Sequence, residues 1–152
     1  MLNPAELSAL VERLERASQT LEAGGCLMQA LARRYYLVYV YAVQAAEKHG
    51  VAFRRGAQTD DDRTVSHRSL PNVVQALYTG QNSGPVIGAG PGITRAGRLT
   101  DRDAFVYTNV LQKDRIYADY GYSEVPEPYD RKTFDERVGY AERLVEDLRT
   151  LL

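Results

Sequence analysis

The stretch Asp114-Arg115-Ile116-Tyr117-Ala118-Asp119-Tyr120-Gly121-Tyr122 sets an arginine, a carboxylate and several phenols at helical spacing. At about 3.6 residues per turn, Arg115, Asp119 and Tyr122 share one face. A guanidinium keeps its charge, and one or two turns further on stand groups able to give or take a proton. Those are the parts of a small phosphodiester site, with a cation for the phosphate beside an acid or base. The same spacing also describes an i,i+4 Arg–Asp pair worth about 0.2–0.5 kcal/mol on a solvated face, with tyrosines that simply pack. Spacing alone leaves both readings open.

A second mixture of cations and rings lies earlier, in Arg33-Arg34-Tyr35-Tyr36 followed by Tyr39 and Tyr41. Arginine and tyrosine together can hold phosphates and stack on bases. They also describe a tyrosine-rich core helix with its arginines at the rim. Only two histidines are present, so acid–base chemistry near neutral pH has few candidates. His67, in Ser66-His67-Arg68-Ser69, reads as a cap or surface residue that another helix could bring into the same cleft. No metal-ligand cluster, Ser/His/Asp set or Cys/His pair can be assembled, so no metal or cofactor is expected. The Gly88 to Gly92 run lacks the Gly-Lys-Ser/Thr ending of a phosphate-binding P-loop. Arg95, Arg98 and Arg102, which follow it, read as solvated.

Helical patterns must position these groups. Asn3, Pro4 and Glu6 form a cap, a first-turn proline and a capping-box acid ahead of Leu7, Leu10, Val11, Leu14 and Leu21, predicting a helix that ends near Gly24-Gly25. Residues 26 to 49 are apolar on most sides and stop at Gly50, as expected of the central core helix, with Cys26 in the core. Residues 51–68 read as an exposed loop, and a short helix follows from about Pro71 to Tyr78, stopped by Gly80. Glycine and proline make residues 81–98 a long loop. Thr100 with Asp103 opens a helix that runs to about Tyr120, and Thr133 with Glu136 reads as the capping box of the last. The expected fold is all-α, an antiparallel bundle of four main helices and one short one.

The 152 residues suit a single domain, 1–152, able to bury a core without disulfides. A formal net charge of −1 offers no global attraction for a polyanion, so nucleic-acid binding would have to be local. The start of the chain lacks a basic segment ahead of an apolar one, and the most apolar stretch, 35–46, is shorter than the ~20 residues of a membrane span. A cytoplasmic protein without membrane contact is expected.

Several segments together resemble the HEPN superfamily of small helical bundles, particularly its short stand-alone bacterial members. Ala32-Arg33-Arg34-Tyr35-Tyr36-Leu37-Val38-Tyr39 is similar to that group's Arg-x-Tyr-Tyr core helix. Val65-Ser66-His67-Arg68 is similar to its His-containing approach to the next helix, and Arg115-Ile116-Tyr117-Ala118-Asp119-Tyr120 to its late Arg-x-x-Ala-Asp-Tyr segment. The resemblance spans about residues 5 to 150, apart from the Gly-rich loop. It implies a dimerising bundle in a superfamily whose active members are metal-independent endoribonucleases, often toxins paired with an antitoxin. Their motif is an arginine and, after four to six residues, a histidine. Arg115 fills the arginine slot, but Tyr120 stands where a histidine would serve. Tyr122 matches a position at which a partner nucleotidyltransferase adds AMP to related toxins.

The resemblance therefore implies a homodimer that acts on or binds RNA or a nucleotide around Arg115, Asp119 and Tyr120, the candidate catalytic residues, with Arg33, Arg34, Tyr36 and His67 as candidate substrate contacts. Such a protein would be an atypical or catalytically silent member of a toxin–antitoxin or defence pair. An active endoribonuclease using Arg115 at the dimer interface is the alternative, and a structural interaction module is a third. A phenol with a pKa near ~10 is only about one part in a thousand ionised at pH 7, so Tyr120 is a poor substitute base.

Overall fold

In the computed structural model, the chain forms five helices among the described residues, which are 1–53, 65–81, 86–88, 90–120 and 130–152. They are α1 (Pro4–Ala23), α2 (Leu27–His49), α3 (Leu70–Thr79), α4 (Asp101–Tyr120) and α5 (Arg131–Arg149). Asn3 caps α1 as its sequence predicts, accepting from the Glu6 backbone while the Glu6 carboxylate accepts from the Asn3 N–H. Thr100 accepts from the Asp103 N–H ahead of α4. The expected cap of α5 is displaced. Asp130, not Thr133, accepts the hydrogen bond, from the Thr133 N–H at 2.8 Å, so the helix opens one turn early. An ionised carboxylate three residues upstream satisfies that N–H better than a hydroxyl inside the helix would.

Gly24, Gly25 and Cys26 reverse the chain between α1 and α2. Leu2 reaches Gln44, and Ser18 reaches the Ala30 carbonyl, so the two helices run antiparallel. Gln29 near the start of α2 donates to the Ala118 carbonyl near the end of α4, which makes α4 antiparallel to α2. Arg131 meets Glu22 at one end of the bundle, and His49 meets the Leu151 carbonyl at the other, so α5 runs parallel to α2. The fold is thus the expected all-α bundle, with α2 touching all four other helices. Leu31, Tyr35 and Val38 of α2 pack with Val73 and Leu77 of α3, Leu111 of α4, and Phe134, Leu144 and Leu148 of α5 in one core. No helix among the described residues is long and apolar enough to cross a membrane.

Three local expectations are corrected. Cys26 is exposed, because the turn between α1 and α2 carries it outside the bundle. Residues 51–68 are not an exposed loop throughout: Val51 is buried, and Ala52–Phe53 (β1) pairs antiparallel with Val86–Ile87 (β2). Arg95 is not simply solvated. Its Nε and Nη2 donate to Asp147 Oδ1 at 3.1 and 2.8 Å, and its Nη1 donates to Glu146 at 2.9 Å. Asp147, 1% exposed on α5, also accepts from the Tyr78 hydroxyl at 2.7 Å and the Leu99 N–H at 2.9 Å. A buried carboxylate thereby ties α3, α5 and the loop before α4 together. The glycines of that loop allow close packing rather than a phosphate cradle. A Cβ on Gly90 would stand 3.0 Å from Leu77 Cα.

Candidate functional site

Three segments far apart in sequence meet on one side of α2. Arg115, on α4, is mostly covered, with 14% of its side chain exposed, and its Nε lies 2.7 Å from Asp119 Oδ2. The same Nε donates to the Tyr36 hydroxyl of α2 at 3.2 Å, and that hydroxyl donates to Asp119 Oδ2 at 3.1 Å. Arginine, carboxylate and phenol close a triangle. The i,i+4 spacing on α4 supplies one side, and the packing of α2 on α4 supplies the other two. The Arg115 guanidinium carbon is 5.7 Å from the ring centres of both Tyr36 and Tyr120. Tyr120 is 65% exposed and offers an open ring face at the rim.

His67 enters from the segment ahead of α3. Its ring stacks on Tyr39 at 4.3 Å between centres and meets Tyr36 edge-on at 5.7 Å. Gln112, one turn before Arg115, donates to the His67 carbonyl at 2.6 Å, and the Tyr39 hydroxyl donates to the Val65 carbonyl at 3.0 Å. Both bonds hold the segment against α2 and α4. The Tyr35 hydroxyl lies 2.9 Å from His67 Nδ1. Burial raises the Tyr35 phenol well above its ordinary range, with the charge of Arg115 opposing, so Tyr35 stays protonated. A phenol donating to Nδ1 leaves the single proton of a neutral imidazole on Nε2, whereas a phenol accepting from Nδ1–H leaves the lone pair on Nε2. His67 thus presents an N–H donor in the first tautomer and a lone pair in the second.

Burial lowers the His67 pKa below 6.5, Arg115 lowers it further, and Asp119 opposes them. The unfolded chain therefore binds more protons than the folded one between the folded value and 6.5. Stability from the neutral ring is present above about pH 6.5 and declines as pH falls through the folded value. Wild type is expected to lose more stability than His67→Gln between about pH 7.5 and about pH 5.5, measured by urea denaturation. Equal losses would remove the buried neutral imidazole as the cause.

The structure brings together Arg115, Asp119, Tyr120, Tyr36 and His67. It does not bring in Arg34, whose Nε donates to Ser18 Oγ at 3.0 Å on the α1 side of α2. Arg33 lies beside α1, lining a surface groove. Tyr122 falls outside the described residues. Sequence reasoning missed Tyr35 and Gln112 as supports. Their signal was helical register, since Tyr35 and Tyr39 stand four apart and Gln112 precedes Arg115 by three.

The arrangement can offer a phosphate the two Nη groups of Arg115 and the Nε2–H of His67, and offer a base the rings of Tyr36 and Tyr120. No family model matches the chain, and neither does any curated protein or any solved structure.

Proposed function

We propose that this chain is an HEPN-like protein that binds RNA or a nucleotide, as an atypical or catalytically silent member of a bacterial toxin–antitoxin or defence system. It acts as a homodimer and answers to an antitoxin or nucleotidyltransferase partner. The convergence of Arg115, Tyr36 and His67 from three segments carries the reading, because each contributes a donor or a ring face to one surface. A silent site is favoured by Asp119, which offsets part of the charge on Arg115, and by the tautomer in which the Tyr35 phenol donates to Nδ1 and His67 is a donor.

Binding of a labelled single-stranded RNA, followed by fluorescence anisotropy in chelator-treated buffer, tests it. Arg115→Ala is expected to weaken binding about tenfold or more, roughly 1.4 kcal/mol, with the circular dichroism spectrum unchanged. Asp119→Asn is expected to tighten it, because the competing carboxylate charge is gone. Wild-type affinity in Arg115→Ala would leave a structural interaction module as the better account.

The alternative of a metal-independent endoribonuclease gains from one observation. His67 supplies the imidazole that the Arg115 helix lacks. Cleavage would use Arg115 on the phosphorane and a Nδ1-protonated His67 as base toward the 2′-hydroxyl. Products ending in 2′,3′-cyclic phosphate, lost in both Arg115→Ala and His67→Gln, would establish that reading.

A further inference from the structure

We propose that the groove between α1 and α2 continues the Arg115 site and holds the backbone of a single-stranded RNA, so that the ligand is an oligonucleotide rather than a lone nucleotide. This rests on the binding function proposed above. The groove is open to solvent, with a volume of about 970 Å³, and Arg13 and Arg16 of α1 and Arg33 of α2 line it beside Glu12. Ala9 and Ala17 keep its floor low. The 2.5 Å ion pair between Arg16 and Glu12 satisfies one of the three cations. Arg13 and Arg33 make no ion pair or hydrogen bond among the described residues. On a chain of net charge −1, that leaves a local excess of positive charge facing an open channel.

Arg33 links the groove to the site. Gln29, Arg33 and Tyr36 fall on one face of α2 at intervals of four and three. Gln29 donates to the Ala118 carbonyl and Tyr36 to the Asp119 carboxylate, so the residues flanking Arg33 both touch α4 while Arg33 itself lines the α1 groove. Tyr36 lies only about 4.5 Å further along the helix axis than Arg33. A strand whose bases meet Tyr36 and Tyr120 with a phosphate at Arg115 has its next phosphates within reach of Arg33 and then Arg13. A single nucleotide would be satisfied at Arg115 and leave the groove cations without a role. Rings beside a cationic track are the usual means of holding single strands without reading their sequence.

The test compares a labelled uridine dinucleotide with a labelled uridine octanucleotide across a salt series, using wild type, Arg115→Ala and the double variant Arg13→Ala/Arg33→Ala. Circular dichroism checks that each variant keeps its helix content. Wild type is expected to bind the octanucleotide more tightly and with a steeper salt dependence. The double variant should bind the dinucleotide like wild type, while its octanucleotide slope of log K against log salt falls by about 1.4, or about 0.7 per lost phosphate contact. An unchanged octanucleotide slope in the double variant, alongside weakened dinucleotide binding in Arg115→Ala, would overturn the groove and keep the binding function. No binding of either oligomer by wild type would overturn both. Displacement of the octanucleotide by polyglutamate of equal charge would assign the groove to acidic proteins and overturn the RNA track.

Discussion

Replacing Asp147 with alanine is expected to destabilise the fold by about 2–6 kcal/mol, from two buried donors left without an acceptor at about 1–3 kcal/mol each. The carboxylate is the shared acceptor of Arg95, the Tyr78 hydroxyl and the Leu99 N–H. Its loss strands two buried donors, one from a phenol and one from the backbone, at a position 1% exposed. Asp147→Asn keeps one carbonyl acceptor and should fall between alanine and wild type. Urea denaturation followed by far-ultraviolet circular dichroism measures both variants. A loss below about 1 kcal/mol for alanine would show that the network contributes no more than an exposed pair.

Gly88→Ala should cost about 2–4 kcal/mol, from two sources. The backbone there has φ +83°, a left-handed conformation that an L side chain adopts at a cost of about 1–2 kcal/mol. A Cβ would also lie 2.1 Å from the Gly50 carbonyl oxygen, a backbone atom that cannot rotate aside. Two further glycines separate these terms. Gly97, at φ +72° with nothing within 4 Å of a Cβ, should show the conformational part alone when changed to alanine. Gly139 lies inside α5 with open space around it, so its alanine variant should gain about 0.5–1 kcal/mol. Thermal and urea midpoints of the three variants would give that order. A Gly88 variant no worse than the Gly97 variant would mean that the contact between residues 50 and 88 yields without resistance.

The helices were legible because their signals are local. Asn3 with Glu6, Gly50 and Gly80 mark ends that the structure keeps within a residue or two, and the apolar intervals of residues 134–148 mark the buried face of α5. What was not legible is tertiary. Nothing near Arg95 in sequence announces a carboxylate 52 residues away, and its neighbours Arg98 and Arg102 have the same local look. At the candidate site, the Arg115–Asp119 pair follows from register, whereas Tyr36 joins it across 79 residues. His67 reads as a surface residue until the stacking on Tyr39 is known, because one imidazole in a polar segment has no periodicity to place it. Arg33 and Arg34 are adjacent in sequence, but a rotation of about 100° between neighbours sends them to different surroundings.

The parallel course of α2 and α5 has an electrostatic consequence. Aligned peptide dipoles leave each helix with about half a negative charge at its C-terminal end. Two such ends side by side repel, where the antiparallel pairs elsewhere in the bundle attract. Consecutive residues at the tail of α2 answer that repulsion: the Lys48 ammonium donates to the Leu152 carbonyl, and the His49 Nε2–H donates to the Leu151 carbonyl. Donors from one helix thus cover carbonyls that follow the other, and the pairing of these two helices is fastened at the end where their dipoles would drive them apart.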